Sequence, residues 1–225
     1  MTLIYTNTGN PNLGRLSQSL KFRKKKPCLF LDADGVLWED QGPGTILRNP
    51  EICAQARELV KRFSDENDYL IIVITNQTSA ARNLISLIDL KIALVNSFKR
   101  SANLVKIDAV YSCFHHPKAE NLELRIDCKC RKPSPEMIFQ ASRKFNIDLP
   151  RSLFIGDRIT DIQSANLAGI GHSFLLVNSK MFEANIQEVV SNDEQRSGFS
   201  FLPITNLSEV DEIRLHKKYL LGQNA

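Results

Sequence analysis

Short apolar runs, each closing on a polar residue or a glycine, alternate along this chain with segments of helical period, and few folds accommodate that alternation. Cys28-Leu29-Phe30-Leu31 ends at Asp32, and Tyr69 to Ile74 ends at Thr75. Weaker runs follow at Asp108 to Tyr111, at Leu153-Phe154-Ile155 before Gly156, and at Ser173 to Val177. Unbroken apolar runs of this length predict strands covered on both faces. Between the first two, Asn49 as N-cap and Pro50 at the first helical position predict a helix that places Ile52, Ala56, Leu59, Val60 and Phe63 on one face. Ser134-Pro135 opens another, with Ile138, Ala141 and Phe145 inward, segments 84–100 and 159–169 fit two more, and Leu207 to Leu221 reads as a closing helix. The expectation is an α/β fold: a mostly parallel sheet of five or more strands with helices on both sides. Ligands then bind beyond the carboxyl ends of strands, where the strand order reverses.

With 225 residues, 43% of them hydrophobic and 24% charged, the chain has an ordinary globular composition and length for one substantial core. Residues 1–20 are polar and irregular and read as a weakly ordered arm, with a single domain over 21–225. The longest apolar run, Leu70 to Ile74, falls far short of a membrane span, and Met1 to Gln18 holds no apolar signal region. A cytoplasmic, monomeric protein with no membrane partner is expected. The net charge of +4 is concentrated in Lys21-Phe22-Arg23-Lys24-Lys25-Lys26. One short run without interleaved aromatic residues reads as a solvated lead-in, so no nucleic-acid partner is expected. Five cysteines, three of them close together beside a histidine, argue for a bound metal over a disulfide framework. Cys28 and Cys53 read as core residues.

Chemistry-bearing residues cluster after the strands. Asp32-Ala33-Asp34-Gly35 offers two carboxylates and a sharp turn, which serve either an ordinary loop or convergence on one cation or electrophile. Gly156-Asp157-Arg158-Ile159-Thr160-Asp161 is a helix cap or a second acidic site; the two together suit Mg²⁺ and its preference for oxygen ligands. Thr75-Asn76-Gln77-Thr78 is either a polar strand cap or a phosphate cradle. Arg131-Lys132-Pro133 is either a solvated basic pair or the balance for a dianionic phosphate.

In this order, over residues 27–178, these pieces resemble the haloacid dehalogenase (HAD) superfamily, whose motifs run Asp-x-Asp-Gly, Thr or Ser, Lys, and Gly-Asp-x-x-x-Asp. Thr75-Asn76-Gln77, Cys130-Arg131-Lys132-Pro133 and the cysteine cluster narrow the resemblance to the heptose 1,7-bisphosphate 7-phosphatases and their histidinol-phosphatase relatives. That resemblance implies a HAD-like three-layer fold and a phosphomonoesterase. Asp32 would be the nucleophile that forms an aspartyl-phosphate, and Asp34 the acid and then the base. Thr75 and Lys132 would hold the phosphoryl group, and Mg²⁺ would sit on Asp32, the Asp34 carbonyl and Asp157, with Asp161 outside the direct ligands. Asn76, Gln77, Thr78, Arg131, Arg158, Asp40 and Gln41 would meet the substrate, a small phosphorylated metabolite.

The cluster reads Cys113-Phe114-His115, twelve residues, then Cys128-Lys129-Cys130, a loop over 113–130. Three thiolates and an imidazole close a tetrahedral structural Zn²⁺ site. Family spacing selects His115 over His116. Because Cys130 adjoins Arg131, the zinc would also fix the loop that presents Arg131 and Lys132.

The chain departs from this family at Ala33, where arginine is usual, at Val36-Leu37-Trp38, in the loop Asp40-Gln41-Gly42-Pro43, and at Ser79-Ala80-Ala81-Arg82, which lacks a glycine. Trp38 reads equally as a stacking surface for a sugar and as cover for the core edge. The stretch from Thr75 to Lys132 leaves no room for a large cap domain, so short loops must select the substrate. The expected activity is removal of phosphate from a heptose bisphosphate or related sugar phosphate. The alternatives are a histidinol-phosphate phosphatase and a zinc-stapled phosphate binder without turnover.

Overall fold

The structure, a computed structural model, describes residues 3–6, 24–42, 44–65, 69–101, 103–177 and 200–210. Strands β1 (Leu3–Thr6), β2 (Cys28–Leu31), β3 (Leu70–Asn76), β4 (Ala109–Cys113), β5 (Leu153–Gly156), β6 (His172–Leu176) and β7 (Leu202–Ile204) form one sheet in the order β1-β4-β3-β2-β5-β6-β7. Every pairing is parallel. Helices α1 (Ala54–Asp65), α2 (Leu87–Ser101), α3 (Glu136–Phe145) and α4 (Ile159–Ala168) cover it.

Alternation along the strands explains why they read as unbroken apolar runs. Leu29 and Leu31 of β2, Ile71 and Val73 of β3, and Leu153 and Ile155 of β5 pack with Leu59, Val60 and Phe63 of α1 and with Leu90, Leu94 and Phe98 of α2. Their neighbours Cys28, Phe30, Ile72, Ile74 and Phe154 face the other way, against Met137, Ile138 and Ala141 of α3 and Ala165 and Ala168 of α4. A side-chain period of two, with both faces buried, leaves no polar position inside the strand. The result is three layers with a core on each side of the sheet.

The chain leaves β2 for β3 on one side and reaches β5 on the other, so the strand order reverses at the carboxyl end of β2. Leu31 stands beside Val73 of β3 and Ile155 of β5, and the next residue, Asp32, donates its N–H to the Ile155 carbonyl at 3.0 Å. Such a reversal places the expected ligand crevice at Asp32.

The structure corrects several expectations. Residues 3–6, part of the expected weakly ordered arm, form a parallel edge strand beside β4, as the β-prone Leu3-Ile4-Tyr5-Thr6 allows. Helix α1 starts at Ala54, because Asn49 adopts φ 52° and ψ 55° at the end of a short 3₁₀ turn, Thr45–Arg48. Asparagine tolerates that left-handed conformation as readily as it caps a helix. Cys53, expected in the core, is exposed, whereas Cys28 is buried. The expected closing helix at 207–221 lies largely outside the described residues. No helix among them is long and apolar enough to cross a membrane. Between Asn76 and Lys132 the described residues form α2, β4 and the cysteine loop with a short 3₁₀ turn, and no cap domain is among them.

Candidate active site

Two close approaches shape the floor of the crevice. Gly35 has φ 85°, and a Cβ there would overlap the Asp157 carboxylate; a Cβ on Gly156 would overlap the side chain of Asp161. Glycine at 35 lets the loops after β2 and β5 come together, and glycine at 156 lets the first turn of α4 fold back against the end of β5. Asp161 lies in the first turn of α4, where its carboxylate accepts the Arg158 N–H at 3.0 Å and is favoured by the helix dipole.

Lys132 reaches into this floor from the loop before α3. Its Nζ lies 2.8 Å from Asp32 Oδ1 and 2.6 Å from Asp161 Oδ1, and donates to the Ile74 carbonyl at 2.8 Å. Burial opposes its charge, but Asp161 and Asp32 outweigh burial and hold its pKa above the usual lysine value. The backbone of Lys132 is gripped as well. The Asn76 side chain accepts its N–H at 3.2 Å and donates to its carbonyl at 3.3 Å. Asn76, expected to meet substrate, spends its amide on this grip.

Asp32, Asp157 and Asp161 each present a carboxylate oxygen within 4.8 Å of the others. Lys132 thus pairs with two of the three carboxylates, while Arg158 lies beside the third. Burial, only partly offset by Lys132, pushes Asp32 up to about 8, and burial with the Asp161 charge pushes Asp157 up to about 7. Asp157 Oδ1 is buried without a hydrogen bond, its nearest cation being Arg158 Nε at 3.9 Å. An orphaned oxygen among three clustered carboxylates suits a hard divalent cation. Asp161, expected outside the direct ligands, belongs to this acidic group and is also paired with Lys132.

Asp34 stands at the crevice on its own partners. Its Oδ1 accepts the Trp38 indole N–H at 2.6 Å and its Oδ2 the Gln77 amide at 3.0 Å; the same amide donates to Thr75 Oγ1 at 3.1 Å. Burial raises the Asp34 pKa, and these two donors restrain the rise. Trp38 is only 2% exposed and packs against Phe98 at 5.3 Å between ring centroids, so of its two readings the core-covering one holds.

The remaining candidates are held by other contacts. Arg158 pairs with Asp40 at 2.8 Å, and Asp40 also accepts the Gly42 N–H at 2.8 Å. Arg131, half-buried, donates to the His115 carbonyl at 3.4 Å. Gln41 is exposed, with its N–H on Thr45 Oγ1 at 3.0 Å. Thr78 is half-buried, and its carbonyl accepts the Arg82 N–H at 3.0 Å.

The second cluster fits a thiophilic metal. Sulfur pairs Cys113–Cys128, Cys113–Cys130 and Cys128–Cys130 lie at 3.5, 3.1 and 3.3 Å, and His115 Nδ1 is 3.4 Å from Cys130 Sγ. Metal–sulfur bonds of about 2.3 Å at tetrahedral angles put sulfurs roughly 3.8 Å apart. Mutual contact with Cys113 and burial raise the Cys130 thiol, and burial raises Cys128. Burial lowers His115, favouring the neutral ligand form. His116 accepts the Lys118 N–H at 3.0 Å and is not in the cluster.

A HAD-hydrolase-like family model matches residues 129–190. The chain is 32% identical over 187 residues to the D-glycero-alpha-D-manno-heptose-1,7-bisphosphate 7-phosphatase of Campylobacter jejuni, spanning 83% of this chain and 94% of the relative. It is 35% identical over 150 residues to a Photorhabdus laumondii enzyme of the same name, spanning 65% and 80%. A solved D,D-heptose 1,7-bisphosphate phosphatase from B. bronchiseptica, complexed with magnesium and phosphate, shares the fold. Its TM-score is 0.64 at 23% identity, over 85% of this chain and 99% of that one.

Proposed function

The chain belongs to the HAD-like phosphatases, in the family of the heptose-bisphosphate 7-phosphatases, and from that membership we propose that it is a Mg²⁺-dependent phosphomonoesterase acting on a sugar bisphosphate, a heptose bisphosphate first. The observation that carries this reading is the convergence of Asp32, Lys132, Asp157 and Asp161 on one crevice, with Asp34 beside it.

Asp32 is the nucleophile. One of its oxygens bonds to phosphorus as the bond from phosphorus to the sugar oxygen breaks, and Asp34 gives that oxygen its proton. Water then attacks the aspartyl-phosphate, Asp34 takes the water's proton, and phosphate leaves with Asp32 restored. Lys132, spanning Asp32 and Asp161, holds the nucleophile in place and faces the phosphoryl oxygens with its charge; Thr75 adds a hydroxyl. Asp32, Asp157 and the Asp34 carbonyl would hold Mg²⁺, with Asp161 braced by Lys132. The cation supplies neutralisation of the transferring group's charge. Cys113, His115, Cys128 and Cys130 would hold Zn²⁺ as a structural staple, keeping Arg131 and Lys132 at the crevice. Arg131 and Arg158 are the rim cations for a second phosphate, Arg158 exchanging its partner Asp40 for substrate.

Phosphate release from heptose bisphosphate, heptose monophosphate, histidinol phosphate and common hexose phosphates tests the reading. The heptose bisphosphate should give the highest kcat/KM. Preference for histidinol phosphate would overturn the substrate assignment, and no turnover of any ester would overturn the enzyme.

A further inference from the structure

Trp38 lies four residues beyond Asp34, in the turn after β2. The ring is buried and held against Phe98, yet its N–H is aimed at a group assigned to catalysis. Two further contacts fix it. The Trp38 carbonyl accepts the Gly35 N–H at 2.8 Å and its backbone N–H meets the Ala33 carbonyl at 3.3 Å, which together make a parallel bridge between Asp34 and Trp38. The turn that carries Asp34 is thereby closed on Trp38.

An indole N–H can only donate, whereas a glutamine amide can rotate to donate or accept. The two oxygens of Asp34 are therefore unequal: Oδ1 faces a group that can never accept a proton, and Oδ2 faces Gln77. We propose that Trp38 is a positioning residue for proton transfer, its indole N–H keeping Asp34 Oδ1 an acceptor throughout the cycle and thereby assigning the transferable proton to Oδ2. The proton leaves Oδ2 for the departing sugar oxygen as the phosphorus–oxygen bond breaks, and the hydrolytic water later returns one to the same atom. Without the indole donor the carboxyl group is free to rotate and to carry its proton on the wrong oxygen. The proposal rests on the assignment of Asp34 as the acid.

The test uses kcat/KM, which reports steps up to formation of the aspartyl-phosphate, for an alkyl ester and an aryl ester. Heptose 1,7-bisphosphate expels a basic alkoxide that needs the proton; 4-nitrophenyl phosphate expels a stable phenolate that scarcely does. Trp38→Phe should lower kcat/KM for the alkyl ester by about tenfold or more beyond any loss for the aryl ester, part of the roughly 10²–10⁴-fold worth of a general acid. Asp34→Asn should show the same selective loss, more strongly, and adding Trp38→Phe to it should cost nothing further for the alkyl ester. Equal losses for both esters, as simple loss of packing would give, or no loss would overturn the proposal. If Asp34→Asn itself lacks the selective loss, the acid assignment fails; if it shows the loss and Trp38→Phe does not, only the role of Trp38 fails. Trp38 is the chain's single tryptophan, so biosynthetic replacement by benzothienylalanine removes the N–H while keeping the bicyclic shape, should the phenylalanine variant not fold. It should reproduce the selective loss, and full alkyl-ester activity in that protein would equally overturn the proposal.

Discussion

The carboxylate of Asp157 occupies the space that a Cβ on residue 35 would need, so Gly35 and Asp157, one after β2 and one after β5, are fitted to each other. Gly35→Ala must therefore displace Asp157 and also strain a backbone held at φ 85°. The left-handed conformation alone costs about 1–2 kcal/mol for a residue with a side chain. We expect Mg²⁺ affinity and kcat to fall at least tenfold while the fold persists. Magnesium titration of activity, with circular dichroism as control, checks this; unchanged affinity would mean that Asp157 does not serve the metal.

Lys132 is the ammonium that faces both Asp32 and Asp161 in a nearly water-free setting. Lys132→Met leaves two buried carboxylates without it. Breaking a buried pair from one side costs about 3–5 kcal/mol. Urea unfolding of the metal-free variant should show a loss of that order, and phosphate release should fall below detection.

The acidic group makes magnesium stabilisation depend on pH, with a definite sign. Burial pushes Asp32 up to about 8 and Asp157 up to about 7 in the folded chain. Unfolded aspartates titrate near ~4. Between those values the unfolded chain has released protons that the folded chain retains, so these groups lower metal-free stability progressively as pH rises. Bound Mg²⁺ favours the ionised forms and offsets that loss. The rise in Tm on adding Mg²⁺ should therefore be larger at pH 8 than at pH 6, measured by thermal unfolding with and without the ion at each pH. A rise that shrinks toward pH 8 would contradict the carboxylate assignment.

Metal analysis of the purified protein should find about one zinc per chain, and Cys128→Ser should lose it. Because Cys130 adjoins Arg131, the variant should unfold at lower temperature and lose kcat together. A fully active protein free of zinc would show that the cluster has another purpose.

Much of this was legible in the sequence for physical reasons. Strands covered on both faces leave continuous apolar signals, so the run Cys28–Leu31 coincides with β2, and the runs Tyr69–Ile74 and Leu153–Ile155 nearly coincide with β3 and β5; the acidic and basic motifs follow from strand ends. Contacts between distant positions left no such signal. Asn76 reads as a substrate ligand from its neighbours alone, because its hydrogen bonds run to the backbone of Lys132, 56 positions away. Asp161 likewise reveals its pairing with Lys132 only once α4 and the loop before α3 are brought together. Asn49-Pro50 misled because the same residue types open helices and close 3₁₀ turns. Trp38 keeps both of its readings in the sequence, because only the packing of its ring on Phe98 separates them.

The central claim is that Asp32 becomes covalently phosphorylated. Acid quenching during turnover of the heptose bisphosphate with Mg²⁺, followed by borohydride reduction, converts an aspartyl-phosphate to homoserine, which peptide mass spectrometry locates. Homoserine at position 32, dependent on both substrate and Mg²⁺, is the predicted result. Homoserine at another aspartate, or continued turnover by Asp32→Asn, would contradict the account.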